Sequence, residues 1–366
     1  MIVTARDMLL LLALARHFLL TRAKVQQLVC PPDKDGRQAR RRLAALAAAG
    51  QIYRHTTLVA SSHDAAPAPV YLLTSKGCQY LADKLGDASF LHKPVHLPHP
   101  LHLVHAMAVA DLHIMFDAAV AAQTDVVLEV WFNEHDVVNA GEPDPAHHYR
   151  LRTKFAGEPE IICSPDAGFV LNRDGQRVAY YLELERGDGH RGTGARQLAE
   201  RKCPGYAELA RQKIYLNHFP GVEVDEFRVL LIVPHDRRRD AVRRAFAKKD
   251  PSQFRTDLWR FAAMTDLTAE TFLTGEVFYH CGAAPAERLL PVGMTNRSIT
   301  TLRRSPAGRR RCYYNGLATK EDNHVQEEGP EAGRGQKQSG CVEYPGHKFC
   351  RPGSKDVCLH HAERRP

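Results

Sequence analysis

Three carboxylates lie close together in residues 165–190, a stretch with the pattern of a β-hairpin. Asp166 precedes an apolar strand, an Asp-Gly turn follows, and the returning strand ends with Glu183 and Glu185. Like charges at one end of a buried sheet repel each other unless a cation lies between them. The stretch therefore predicts a metal site, and phosphodiester chemistry is the working hypothesis.

Side chains alternate along a strand, which puts Glu183 and Glu185 on the same face as Tyr181 and leaves Asp166 on the neighbouring strand. Carboxylates from two adjacent strands form the oxygen-rich ligand set that Mg²⁺ or Mn²⁺ prefers. Such an ion lowers the pKa of a bound water and neutralises charge on a phosphate. The alternative is a surface hairpin whose acidic residues keep a sheet soluble. Glycoside hydrolases also use paired carboxylates, but that function would not explain a winged helix at the front of the chain.

The elements around the hairpin predict a mixed sheet. Apolar periodicity predicts a helix over 101–122 and a strand over 126–131 before the hairpin. A long helical region over 193–218 and a buried strand over 227–233 follow, and residues 258–264 form a further strand or edge element. This αβββαβ order differs from a regular βαβ alternation and predicts an α/β (α+β) sandwich about one mixed sheet.

The first 91 residues have the pattern of a winged helix-turn-helix, with three helices followed by two short strands. In the third helix, residues 36–49, the inner face is apolar, Arg37 and Arg41 point outward, and Gln38 and Arg40 lie on the flanks. A helix at this position would enter the DNA major groove. The alternative is a solvated basic helix face.

Charge and composition divide the chain into three parts. Residues 1–91 have 12 Lys and Arg against 6 Asp and Glu, and residues 298–366 have 13 against 8, so two basic ends flank a mildly acidic body. We expect a DNA-binding domain over 1–91, a second domain over 92–285, and a basic, disordered tail over 286–366. The less favoured alternative for the tail is a zinc site drawn from Cys341, His347, Cys350, Cys358 and His360.

The nine cysteines are irregularly spaced, which is typical of reduced thiols. The apolar segment 8–15 is too short for a signal peptide and lacks a cleavage site, and polar residues interrupt the run over 101–122. We therefore expect a cytoplasmic protein that does not enter a membrane.

A known family pattern matches these residues. The following residues resemble the signature of PD-(D/E)XK nucleases: Pro165, Asp166, Glu183, Leu184, Glu185, Arg186, Gly187, Lys202 and Tyr206. More narrowly, about residues 5–280 resemble the bacterial replication-relaxation family, proteins linked to plasmid replication and DNA relaxation that pair a winged helix with a nuclease-like domain. The likeness extends to the front of the chain and to a short motif before the hairpin, at residues 39–50, Ile52, Arg54, Tyr71, Leu72, Thr74, Gly77, Trp131 and Glu134.

The resemblance implies that Asp166 and Glu183 hold Mg²⁺ or Mn²⁺. Standard nucleases of this kind carry a lysine two residues after the glutamate, and here Glu185 occupies that position. The predicted catalytic set is Asp166, Glu183, Glu185 and Lys202.

In this set Lys202 would replace the missing cation from the following helix. Pro204 should kink that helix and alter its reach, and Lys213 is a second candidate. Glu134 is either a third metal ligand or a polar residue at a strand end, and the second interpretation is favoured.

Three functions fit this sequence. The first is a metal-dependent DNA endonuclease or nickase of plasmid or mobile-element replication. The second is an inactive nuclease-fold accessory or regulator that binds DNA through its winged helix, and the third is a repressor with a sensor domain. Double-stranded DNA is the expected partner, with relaxase or replication proteins as further candidates.

Overall fold

The computed structural model describes residues 3–30, 35–56, 68–138, 148–186, 194–282 and 285–290. All of them fall in one compact unit, Met1–Arg297. Of the expected tail over 286–366, residues 291–366 with their cysteines and histidines lie outside the described residues. Residues 286–290 are described, and Leu289 and Leu290 are buried. The domain boundaries at residues 91 and 285 remain predictions.

The front of the chain is helical, with a small sheet. Its elements are α1 (Ala5–His17), β1 (Leu20–Thr21), α2 (Arg22–Val29), α3 (Arg37–Ala48), β2 (Ile52–His55), β3 (Val70–Leu73) and α4 (Ser75–Leu85), followed by a 3-10 helix at Ala88–His92. The three strands pair antiparallel in the order β1-β3-β2. This order of elements agrees with the one that the sequence predicts.

Local signals explain where these helices begin and end. The hydroxyls of Thr4, Thr21 and Thr74 each accept a backbone N–H in the first turn of a helix, as expected of N-cap residues. Helix α3 buries Ala39, Leu43 and Leu46 and ends just before Gly50, whose φ of +71° suits glycine. The apolar inner face predicted for α3 is confirmed.

The rest of the described chain contains both helices and strands, and five strands follow one another after its first helix. Its elements are α5 (Pro100–Ala121), β4 (Val126–Asn133), β5 (Thr153–Phe155), β6 (Ile161–Cys163), β7 (Ala167–Arg173), β8 (Gln176–Leu184), α6 (Ala195–Arg211), α7 (Tyr215–His218), β9 (Phe227–Val233), α8 (Asp236–Phe246), α9 (Pro251–Phe254), β10 (Trp259–Ala263) and α10 (Thr271–Thr274). Five strands form a sheet in the order β10-β9-β8-β7-β4. Because β4, β7 and β8 pair antiparallel while β8, β9 and β10 pair parallel, the predicted mixed sheet is confirmed.

The sheet has an apolar core on each face. On β8, Tyr181 packs with α6 on one face, whereas Tyr180, Leu182 and Leu184 pack with α5 on the other. Strand β9 is the central parallel strand, and six of its seven residues are buried, as its unbroken apolar run predicts. The hairpin thus lies inside the molecule, and the surface-hairpin interpretation does not fit its burial.

A β-bulge changes the alternation of side chains in β4. The pairing of β4 with β7 shifts between Leu128 and Val130. Before the shift, Leu128 faces the α5 core; after it, Trp131 faces that core and Phe132 faces the α6 core. The extra residue therefore turns the end of β4, including Glu134, toward the same face of the sheet as Tyr181.

The long helical region predicted over 193–218 consists of two helices. Helix α6 ends at Arg211, and Lys213, with a φ of +55°, separates it from the short α7. Helix α6 runs through Pro204 without interruption. At Gly205 a Cβ atom would lie 3.1 Å from the Cβ of Cys163, so glycine allows α6 to pack closely on β6. The β5–β6 hairpin was not predicted.

Helix α5 joins the two parts of the described chain. Within the described residues, one helix, His102–Ala121, is long and apolar enough to cross a membrane by length and composition, and half of it is buried. Ion pairs tie α5 to the front of the chain: Arg16 pairs with Asp117, and Lys24 pairs with Asp111.

Candidate metal centre

Three carboxylates converge at one end of the five-stranded sheet. Ala167 pairs with Leu182 of β8 on one side and with Asn133 of β4 on the other. The next residues outward in this row are Asp166, Glu183 and Glu134. The backbone N–H of Glu134 donates to the carbonyl of Asp166 at 3.0 Å, so the backbone pairing of the strands continues to the residues that carry the carboxylates. The sheet register therefore creates the cluster.

Asp166 is held from two directions. Its Oδ2 accepts the backbone N–H of Leu184 at 2.7 Å, and its Oδ1 lies 3.0 Å from Nε2 of His105 on α5. Burial alone would raise the pKa of Asp166, but His105, Lys202 and the Leu184 N–H outweigh it and lower that pKa. Asp166 is thus an ionised carboxylate in a fixed orientation.

Glu183 is bound to two residues of α6. It is 3% exposed; its Oε1 accepts the hydroxyl of Tyr206 at 2.7 Å, and its Oε2 lies 2.5 Å from Nζ of Lys202. Lys202 and Tyr206 are four residues apart and share one face of the helix. Burial opposes the charge of Lys202, but Glu183 and Asp166 raise the pKa of Lys202 above its usual value. The lysine is therefore held as a cation beside the carboxylates.

The cluster includes groups that could hold a metal ion. One donor atom each from His105, Glu134 and Asp166 lies within 4.8 Å of the others. Burial, and then the charge of Asp166, raise the pKa of Glu134 to about 7, so the carboxylates repel each other in the absence of a cation. Oxygen ligands suit Mg²⁺ and Mn²⁺, and the imidazole moves the preference toward Mn²⁺. The residues present fit a divalent cation.

Glu185 lies outside this group of side chains. Its carboxylate accepts Nε of Arg238 at 2.9 Å, and its backbone N–H donates to the carbonyl of Ile232 at 2.8 Å. Glu185, the residue that the resemblance puts at the lysine position, thus forms an ion pair with Arg238 of α8. The structure does not place Glu185 with the other predicted catalytic residues.

Of the two candidate lysines, Lys202 reaches the carboxylates. Its Nζ contacts Glu183 although Pro204 lies in the same helix, so the expected effect of Pro204 on its reach is not seen. Lys213 is exposed in the turn between α6 and α7.

The chain matches a known protein family. The sequence model of a family described as replication-relaxation matches residues 11–222, more than half of the 366-residue chain. This chain belongs to the replication-relaxation family. No curated protein and no solved structure matches the chain in the same comparisons.

Membership of the replication-relaxation family points to a role in plasmid or mobile-element replication. The matched range contains the whole candidate centre, from His105 on α5 to Tyr206 on α6, together with α3. The resemblance noted in the sequence is confirmed at the level of the family.

In this family member, α3 presents its predicted basic face. Arg37, Arg40 and Arg41 are exposed, and Gln38 is half-buried. Their neighbour Arg42 points elsewhere and pairs with the buried Asp7 of α1.

His105 was missed by sequence reasoning. It appeared only as one of several polar residues that interrupt an apolar helix. That interruption is the signal that could have found it, because a polar side chain on the core helix nearest the hairpin needs a buried partner.

The pKa of Glu134 predicts how metal affinity depends on pH. A bound cation must displace the proton of Glu134 and that of His105, whose pKa is raised because Asp166 outweighs the effect of burial, so the affinity for Mn²⁺ should rise more than tenfold from pH 5.5 to pH 6.5 and level off above about pH 8. Titration calorimetry at a series of pH values measures this. The Glu134→Gln variant lacks the proton of Glu134 and should give a flatter profile; the same profile in both proteins would contradict the assignment.

Proposed function

We propose that this chain is a metal-dependent DNA endonuclease or nickase of plasmid or mobile-element replication. The observation that carries the proposal is the position of Lys202, whose Nζ lies 2.5 Å from Glu183 in the same cluster as Asp166. A helix thereby supplies the cation that is missing at position 185. Two carboxylates and a lysine at one sheet end are what phosphodiester cleavage of this kind needs.

The fold supports a PD-(D/E)XK-like domain. The order α5, β4, β7, β8, α6, β9 follows the predicted αβββαβ pattern around a mixed sheet. In this proposal Asp166, Glu134 and His105 would hold a Mn²⁺ or Mg²⁺ ion, which supplies Lewis-acid activation of water and of the phosphate when bound. Lys202 would stabilise negative charge on the phosphate, and Glu183 with Tyr206 would hold the lysine in place.

The front of the chain supports DNA binding. Helices α1 to α3 and the antiparallel sheet β1-β3-β2 agree with a winged helix-turn-helix, in which α3 would enter the major groove of double-stranded DNA. Arg37, Gln38, Arg40 and Arg41 would make the contacts. Binding through these residues should weaken steeply with added salt. A cytoplasmic location, and relaxase or replication proteins as partners, belong to the same proposal.

A nicking assay tests the proposal. Supercoiled plasmid that carries the DNA flanking the coding sequence is incubated with the full chain and Mn²⁺ or Mg²⁺. The protein should convert it to open-circle or linear DNA, and Asp166→Asn should abolish the conversion. Asp174→Asn is the matched control, since Asp174 is exposed in the turn of the same hairpin. Equal inertness of all three proteins would sink the nuclease proposal.

One observation favours a second candidate, an inactive accessory protein. The Glu185–Arg238 ion pair occupies the usual lysine position, and a site without an effective lysine can bind metal and cut poorly. In that case Arg37→Ala/Arg41→Ala would abolish retardation of DNA in a gel, whereas Asp166→Asn would change neither binding nor plasmid topology.

A further inference from the structure

A second cluster of metal-binding groups lies where α1 meets α5, apart from the carboxylates described above. His17 is the last residue of α1, and His113 and Asp117 lie one turn apart on α5. His105 and His113 are separated by eight residues of the same helix, or about 12 Å along its axis. The two clusters are therefore separate sites.

The two imidazoles are buried without enough partners. His113 has no exposed surface and His17 is 3% exposed. Among the described residues, both ring nitrogens of His113 and Nδ1 of His17 have no hydrogen-bond partner. Buried polar atoms normally have partners because leaving them unpaired is costly. Three unpaired ring nitrogens on two adjacent buried histidines indicate that these side chains bind a ligand.

Asp117 presents one carboxylate oxygen to each ring. Its Oδ1 lies 3.6 Å from Nε2 of His113, and its Oδ2 lies 3.7 Å from Nε2 of His17. Both distances are too long for hydrogen bonds. Two ligands bound to one tetrahedral Zn²⁺ at about 2.0–2.1 Å lie about 3.4 Å apart. One donor atom each from His17, His113 and Asp117 lies within 4.8 Å of the others, so the three groups could bind one ion together.

Neighbouring residues hold the cluster in orientation. Arg16 donates from Nε to Oδ2 of Asp117 at 2.6 Å and from Nη2 to Oδ1 at 2.5 Å, which leaves a further lone pair on each oxygen. Trp131 stacks on the ring of His113 with centroids 3.7 Å apart and planes at 7°. Metal ligands are commonly oriented by outer contacts of this kind.

We propose that His17, His113 and Asp117 form a Zn²⁺ site that fastens α1 to α5, with a water as the fourth ligand. Two imidazole nitrogens and a carboxylate are ligands that zinc accepts readily. The site is independent of the proposed nuclease centre, and its role is to join the front of the chain to the sheet.

Zinc binding to the full chain tests this proposal. Calorimetry should show one Zn²⁺ bound per chain at this site, and this binding should be lost in His17→Phe and in His113→Phe. Both substitutions keep a ring in the buried position. Zn²⁺ should raise the Tm of the parent by about 5 °C or more, and both variants should lose this shift. The matched control, His218→Phe, replaces another buried histidine that lies outside both clusters and should keep the shift.

Co²⁺ gives a second readout that does not depend on the variants folding. Bound at this site, Co²⁺ should give visible d–d bands without a thiolate charge-transfer band, and Zn²⁺ should displace it. The proposal is overturned if the parent shows neither these bands nor the Tm shift, or if folded His17→Phe and His113→Phe proteins keep both.

Discussion

Replacing Lys202 with methionine is expected to slow plasmid nicking by about 10²–10³-fold while DNA affinity stays unchanged. Methionine keeps the apolar body of the side chain but removes the cation that lies 2.5 Å from Oε2 of Glu183. A cation fixed beside the reacting phosphate acts where negative charge develops, and losing one such group typically costs this much. Initial rates on supercoiled plasmid and fluorescence anisotropy with labelled duplex measure the two quantities.

Two further variants make the Lys202 experiment specific. Lys213→Met introduces the same change at the other lysine that the sequence offered, which is exposed in a turn, and should keep the parent rate. Lys202→Arg keeps the charge, and its nicking rate should lie between the rates of Lys202→Met and Lys213→Met. Lys202→Met leaves the buried Glu183 with the hydroxyl of Tyr206 but without its cation, so thermal unfolding is needed to check that this variant is folded. A Lys202→Met protein that nicks at the parent rate would remove the lysine from the mechanism.

The second large effect concerns stability and contrasts two neighbouring arginines on α3. Arg42→Ala is expected to lower the free energy of unfolding by about 3–5 kcal/mol, because it leaves the buried carboxylate of Asp7 without its cationic partner. Asp7 also accepts the backbone N–H of Thr4 at 2.8 Å, which closes the capping box of α1. Arg41→Ala changes an exposed side chain and should cost less than about 0.5 kcal/mol.

Urea unfolding and DNA retardation separate the two roles. Arg41→Ala should weaken DNA binding with little loss of stability, whereas Arg42→Ala should lose stability. Asp7→Ala should lose less than Arg42→Ala, because Arg42 is partly exposed and water can solvate it. The double variant Asp7→Ala/Arg42→Ala should cost less than the sum of the single changes, since no unpaired charge remains. If Arg42→Ala proved no more destabilising than Arg41→Ala, the buried pair would not stabilise the fold as described.

Much of the sheet could be predicted from the sequence because its signals are local. The Asp-Gly turn and the alternation around it predicted the hairpin, and Tyr181 and Leu182 do face opposite cores. The apolar run of β9 predicted a strand buried on both faces. The short β5 and β6 carry too few residues for such a pattern, and they were missed.

Glu134 shows where local signals mislead. Simple alternation from Leu128 would put Glu134 on the face opposite Glu183, which favours the interpretation as a polar residue at a strand end. The bulge before Val130 reverses this and turns Glu134 toward the other carboxylates. A single inserted residue is a property of the pairing between two strands, and the sequence of one strand does not reveal it.

Long-range contacts set the remaining limit. His105 reaches Asp166 because α5 packs on the sheet beside β4, and Lys202 reaches Glu183 because Gly205 lets α6 approach β6. Neither approach is encoded in the spacing of residues along one element. The sequence supplied the candidates, and the packing of helices on the sheet chose among them.

The ion pairs between α1, α2 and α5 have a consequence for how DNA would be cut. Arg16–Asp117 and Lys24–Asp111 attach the part of the chain that would read DNA to the helix that carries His105. If both proposed activities are real, the distance between reading and cutting is built into the protein. The chain would then act as a ruler, breaking the strand at a constant offset from its recognition sequence whatever bases lie between.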